Sequence, residues 1–232
     1  TQIRSSAASD VYKRQDPSQR EPADQALMHP RAERGAALRA PLRLGVMASG
    51  NGTNFEALVE SIAAGELCAE IPLLVVNNPG CGAQQRAQRL GVPCSVLDHR
   101  VLRDRIELDR ELVRCFREAE VEGIVMAGWM RIVTPVLIQA FAGRLLNVHP
   151  SLLPSFRGLD AVGQALASGV TISGCTVHLV TEELDAGPIL AQAAVPVLET
   201  DDHVSLSARI RRQEHRVLPQ AVLRAGLRWR QG

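Results

Sequence analysis

The sequence predicts an open, mostly parallel α/β sheet of Rossmann-like type, with helices on both faces and antiparallel strands added in its C-terminal half. Three observations carry this. From Leu42 onward, short aliphatic runs alternate with amphipathic segments, the signature of βαβ units. A glycine-rich turn, SGNGTN at 49–54, falls directly between the first aliphatic run and the first amphipathic segment. Aromatic residues make up only 3% of the 232-residue chain, so the core is built from aliphatic side chains and alanine, which suits a layered α/β protein better than a sandwich.

The first strand is 42–48, and a helix follows over 54–64 with Gly65 as its stop. A second strand lies at 71–76, a helix at 83–90 closed by Gly91, and a short third strand at 94–97 after Pro93. A long helix spans 102–119; 123–127 reads as a buried strand, 135–141 as a short helix begun by proline, and 144–148 as another strand. A proline-punctuated loop, 149–158, leads to a helix at 160–167. The β runs 172–180 and 189–197, joined by 181–188, are the strands added near one side of the sheet. A C-terminal helix covers 202–217, with Pro219 interrupting it before a last amphipathic turn.

Residues 1–40 carry no sustained apolar period and are rich in Arg, Ser, Gln and Ala, a composition that cannot offset chain entropy by burial. They are expected to be a disordered or non-native tail, with 41–232 forming a single domain. The run 5–15 resembles translated adapter sequence, while Asp10, Asp16, Glu21 and Asp24 weigh against a targeting peptide. A formal net charge of +1 offers no field for nucleic acid or an anionic membrane. No apolar run approaches the roughly eighteen residues that cross a bilayer. The expectation is a cytoplasmic protein, monomer or homodimer, acting on small molecules. The five cysteines are scattered and never form a CxxC pair, and no H-E-x-x-H pair or Cys/His cluster exists, so neither a disulfide framework nor a metal site is indicated.

Chemistry concentrates in three places. At 49–54 the glycines permit a tight turn that leaves helical N–H groups unpaired and able to hold an anion. The turn is neither a dinucleotide fingerprint nor a Walker A loop, and position alone does not separate an anion site from a simple helix cap. The strand 144–148 delivers Asn147 and His149, spaced by two and so on one face. An amide donor beside an imidazole is what acyl transfer needs to hold a developing oxyanion and move a proton; taken alone, the pair suits a satisfied strand end better. Asp185, in a loop tightened by Gly187 and Pro188, is a candidate to orient the imidazole of His149 and favour its charged form, although a turn-forming Asp is the commoner role. His178 alternates with Val177 and Leu179, and both a site histidine and a packed one fit. His99 and His203 lie in polar contexts expected to be solvated.

Together the segments SGNGTN at 49–54, AGWMRIV at 127–133, NVHPSLLPSF at 147–156, LDAGP at 184–188 and QEH at 213–215 resemble the phosphoribosylglycinamide formyltransferases, in the family's order, from about Leu42 to the C-terminal helix. The resemblance implies transfer of a formyl group from 10-formyltetrahydrofolate, a co-substrate used without a metal, to the amine of glycinamide ribonucleotide. It assigns Asn147, His149 and Asp185 to catalysis; Gly52, Thr53 and Asn54 to the substrate phosphate; and Glu214 to the ribose and glycinamide. Arg105, Met130, Arg131, Ile132 and Val133, together with Asn147, fall to the folate. Trp129 and Val133 depart from the phenylalanine and leucine frequent at those positions. A formyltetrahydrofolate deformylase and a methionyl-tRNA formyltransferase share parts of the pattern, but the first normally carries an added N-terminal domain and the second a C-terminal RNA-binding one. From another class, a non-catalytic ligand-binding module on the same fold is weakened by the full polar trio.

Overall fold

A computed structural model of the chain describes residues 27–30 and 38–230. Among them, eight strands form one sheet: β1 (Met28–His29), β2 (Leu42–Ala48), β3 (Ala69–Val76), β4 (Cys94–Val96), β5 (Gly123–Met126), β6 (Leu145–His149), β7 (Ile172–Leu179) and β8 (Ile189–Pro196). Five helices lie between strands, α1 (Thr53–Ala63), α2 (Gly82–Leu90), α3 (Arg105–Glu118), α4 (Pro135–Ala140) and α5 (Ala161–Ala167), and a sixth, α6 (His203–Trp229), follows the last strand.

The strand order is β1-β8-β7-β6-β5-β2-β3-β4. The strands from β6 to β4 run parallel, and β7, β8 and β1 each pair antiparallel with their neighbour, as the alternation of aliphatic runs predicts. The chain winds outward from β2 through β3 to β4, then returns to the other side of β2 with β5 and β6. That reversal is a topological switch point, where open α/β sheets hold ligands beyond the carboxyl ends of their strands. The turn 49–54 leaves β2 at this point, and 127–133 leaves β5 beside it.

Period two sorts the strand side chains onto two cores. In β2, Leu44, Val46 and Ala48 join Phe55, Leu58, Leu206 and Ile210 on the face covered by α1 and α6. Met47 faces the other way, among Leu108, Leu112, Phe116 and Leu137 of α3 and α4. There Phe116 and Phe141 meet edge to face, with ring centroids 6.4 Å apart.

The structure departs from the sequence reading in three places. Met28 and His29, inside the stretch expected to lack structure, pair with Ala193 and Gln192 on the edge of β8, and the Met28 side chain is buried there. The remainder of that tail, 1–26 and 31–37, lies outside the described residues. The long helix α3 begins at Arg105 rather than at 102, because the Asp104 carboxylate caps it by accepting from the N–H groups of Ile106 and Glu107. The helix α6 runs unbroken through Pro219. An internal proline costs about 3 kcal/mol. Val217, Leu218 and Val222, all fully buried beside it, each return about 1.5–3 kcal/mol through burial, so packing wins. No helix among the described residues is long and apolar enough to cross a membrane.

Candidate active site

Asn147 and His149 leave the same face of β6, and antiparallel β7 sets His178 opposite the first and Thr176 opposite the second. Thr176 fixes the turn that follows His149. Its hydroxyl donates to the Ser151 carbonyl at 2.7 Å and accepts from the Leu153 N–H at 3.0 Å. Gln192 of β8 donates to that hydroxyl and to the Leu153 carbonyl. The backbone that carries the histidine is therefore tied to the sheet by side chains that are themselves buried or half-buried.

Asp185 reaches this point from the loop between β7 and β8. Gly187 lets the loop close: a Cβ there would sit 1.8 Å from the Leu179 carbonyl oxygen. Asp185 itself adopts a left-handed backbone, φ 49°. Its Oδ2 accepts from the Gly158 N–H at 2.9 Å and lies 3.4 Å from His149 Nδ1, while its Oδ1 is 3.6 Å from His178 Nε2. Burial pushes the carboxyl up, but the hydrogen bond from the Gly158 N–H and the His149 ring act against it, and the carboxyl lies below the usual carboxylate range. The other nitrogen of His149, Nε2, stands 2.8 Å from the Phe156 carbonyl. A carbonyl only accepts and an ionised carboxylate only accepts, so both ring nitrogens of His149 face acceptors.

These groups open into a cleft of about 590 Å³ whose walls include Asn54, residues 128–133, Asn147, His149, His178, Asp185, Arg211 and Glu214. The turn at its far end is shaped by Gly52, which takes a left-handed φ of 74° and packs so closely on α2 that a Cβ would lie 2.5 Å from Ala83 Cα. Gly52 places no side-chain cap on α1, and the first helical bond runs from the Glu56 N–H to the Gly52 carbonyl. The N–H groups of the first turn are thus left without intrahelical partners. Asn54 donates from Nδ2 to Glu214 at 2.9 Å, and its own Oδ1 is buried without a partner. Burial drives the Glu214 carboxyl above its ordinary pKa, against the Asn54 hydrogen bond and the nearby Arg211.

On the opposite wall, Met130 is 70% and Ile132 57% exposed, whereas the preceding Trp129 is buried in the core with Leu137 and Phe141. The Met130 N–H donates to the Ser49 hydroxyl, joining this wall to the glycine turn. The Arg131 guanidinium donates to the carbonyls of His99 and Arg103. Gly52, Thr53 and Arg105 are not among the residues that line the cleft. Arg105 stands at the first position of α3, where its charge reaches Asp109 together with that of Arg131.

All the remaining candidates named from the sequence line one cavity. Arg211 was not among them; its signal was its place on α6, three residues before Glu214 and so on the same helical face. His203, expected to be solvated, is exposed yet lines the cleft and pairs with Asp160 at 2.9 Å. No group of three or more histidine, cysteine or acidic side chains suited to a metal occurs among the described residues, and all five cysteines are free.

The switch-point cleft, in which a buried histidine–carboxylate pair meets Asn54 from the first turn of α1, defines an α/β protein with a polar pocket at the carboxyl ends of its parallel strands. The formyl transferase family model matches residues 42–222, and the chain belongs to that family. It is 38% identical over 180 residues to phosphoribosylglycinamide formyltransferase of Bacillus subtilis, spanning 78% of this chain and 92% of that one. It is 39% identical to the trifunctional purine biosynthetic protein adenosine-3 of Homo sapiens over 78% of this chain, but spans only 18% of that relative's length. Among solved structures, glycinamide ribonucleotide transformylase 1 from Symbiobacterium toebii superposes with a TM-score of 0.77 at 40% identity, covering 78% of this chain and 86% of the other. The enzyme of the same name from Geobacillus kaustophilus gives 0.76 at 40% identity, with coverages of 78% and 97%.

Proposed function

We propose that the chain transfers the formyl group of 10-formyltetrahydrofolate to the amine of glycinamide ribonucleotide, giving formylglycinamide ribonucleotide and tetrahydrofolate in purine synthesis. The observation that carries this reading is the meeting of Asn147, His149 and Asp185 in one cleft with Asn54, from the uncapped first turn of α1. The relatives that span nearly the same length bear names for this activity.

In this reading the nucleotide's phosphate lies at the first turn of α1, held by the backbone of Gly52, Thr53 and Asn54 with Arg211 adding positive charge. Glu214, steadied by Asn54, takes the ribose and glycinamide portion. The folate ring system lies along Met130, Ile132 and Val133, an apolar wall whose exposed area a flat heterocycle would cover. Arg131 and Arg105 place positive charge toward its carboxylate end.

The uncharged amine attacks the formyl carbon, forming a C–N bond and placing negative charge on the formyl oxygen. His149, protonated on both nitrogens, and the amide of Asn147 donate to that oxygen. In the structure the Nε2–H of His149 donates to the neutral Phe156 carbonyl. An oxyanion is the stronger acceptor and displaces it. Asp185 balances the imidazolium charge throughout. Collapse of the intermediate breaks the bond between carbon and the folate nitrogen, and the proton lost by the amine passes to that nitrogen.

Incubation with 10-formyltetrahydrofolate, with and without glycinamide ribonucleotide, tests this. Formylated nucleotide formed only when both are present is the expected result. Free formate released at the same rate without nucleotide would make the chain a deformylase, and no turnover of either kind would leave a ligand-binding module.

A further inference from the structure

We infer that His178 is a positioning residue for Asn147: its unprotonated Nε2 accepts an amide N–H and so fixes the nitrogen end of that amide, the end an oxyanion needs, at the seam of β6 and β7. The inference rests on the formyl-transfer reading for its catalytic consequence, while the hydrogen-bond assignment itself stands on geometry.

The two residues face each other across the antiparallel β6–β7 pair, and His178 is buried. His178 Nδ1 lies 2.9 Å from the Leu179 carbonyl oxygen, which can only accept, so Nδ1 carries a proton. Nε2 has two neighbours: the Asn147 amide nitrogen at 3.2 Å and Asp185 Oδ1 at 3.6 Å. The second distance exceeds a hydrogen bond, so the amide decides the role of Nε2.

Two arrangements satisfy that contact. Either neutral His178 accepts from the amide nitrogen, or a His178 imidazolium donates to an amide turned end for end, with its oxygen at the ring. Charge selects between them. The buried cluster holds one carboxylate, Asp185, and two histidines, His149 and His178, on either side of it. The ring nitrogens of His149 both face oxygen acceptors and take the one imidazolium that Asp185 can balance. A second imidazolium would leave an uncompensated buried charge, which is strongly destabilising. His178 is therefore neutral, and the amide keeps its nitrogen at the ring with its second N–H free to donate. A residue at 178 that donates, or that cannot accept, would release the amide to rotate.

The test combines a spectroscopic readout with a mutant cycle. In the resting wild-type protein, 15N shifts of the His178 ring should show a proton on Nδ1 and none on Nε2; a protonated Nε2 overturns the inference whatever the activity. In steady-state kinetics, His178→Leu should lower kcat about a hundredfold, the scale of one lost oxyanion donor, with KM for both substrates within about threefold. The same substitution placed on Asn147→Ala should lower kcat no further. His178→Gln, whose side-chain oxygen can accept at the same place, should return kcat to within about tenfold of wild type. Multiplicative losses in the double variant, or a glutamine variant as slow as the leucine one, would refute the positioning role. A wild-type protein that forms no formylated nucleotide would instead remove the reading of function, leaving the ring assignment to the 15N shifts.

Discussion

The two walls of the cleft are built on opposite physical terms. At the β6–β7 seam, His149, His178 and Asp185 are all at least nine-tenths buried, and the backbone behind them is tied down by Thr176 and Gln192. Across the cavity, Met130 and Ile132 stand exposed on a loop held by hydrogen bonds from the Met130 N–H to the Ser49 hydroxyl and from Arg131 to the His99 carbonyl. Polar groups buried at one wall are costly to disturb, because removing one leaves its partners unsatisfied. Apolar groups exposed at the other have neither partner nor burial to lose until a ligand covers them. Under the proposed function, chemistry falls to the seam and mere affinity to the rim: substitutions at the seam should act on turnover, and those at the rim on binding.

Substitution of His149 by alanine gives the largest expected effect. It should lower kcat by about a hundred- to a thousandfold with little change in either KM, measured in steady state with both substrates. Near-normal turnover would erase the distinction between the walls.

Glu214 sits between the extremes, buried but lining the cleft beside Asn54, where the proposed function places the nucleotide. Glu214→Gln should raise KM for glycinamide ribonucleotide about tenfold while leaving kcat nearly intact, since it removes binding shared by ground and transition states. Its raised pKa adds a second signature. A carboxyl raised by folding contributes stability that is fully present below its unfolded value, about 4.3, and is lost as pH rises through the raised one. The glutamine variant, neutral at every pH, should therefore match wild type in melting temperature near pH 4 and exceed it near pH 8.

At the rim, Ile132→Ala should raise KM for the formyl folate only about threefold, with stability changed by less than about 0.5 kcal/mol, as for an exposed side chain. A large loss of kcat there would mean that the rim also shapes the reaction centre. The smallest expected effect is on acid stability. The carboxyl of Asp185 is lowered by folding, so its contribution is present above the ordinary carboxylate value, about 3.9, and drains away as pH falls through the lowered one. Asp185→Asn should flatten that acid-side decline in thermal melts taken between pH 5 and pH 2.

The same division between walls governs what could be read in advance. The parallel sheet and nearly every helix were legible because aliphatic runs, glycine stops and the proline at the start of α4 are local signals. Pro219 misled, because the burial that carries α6 through it is tertiary. Met28 and His29 could not be recognised as a strand, since the edge of β8 that they pair with lies far along the chain. In the cleft, the spacing of Asn147 and His149 fixed their common face. Asp185 could be named as a candidate but not brought near, because its approach depends on the Gly187 turn and the left-handed backbone of the loop. The place of His178 became definite only with the β6–β7 register, which no local pattern encodes.

In the proposed formyl transfer, His149 and Asp185 act as one unit. The direct measurement is kcat for His149→Ala, Asp185→Asn and the two combined. If the carboxylate works through the imidazole, the double variant should be no more than about threefold slower than His149→Ala alone. Losses that multiply, each substitution costing its full factor in the absence of the other residue, would contradict the account.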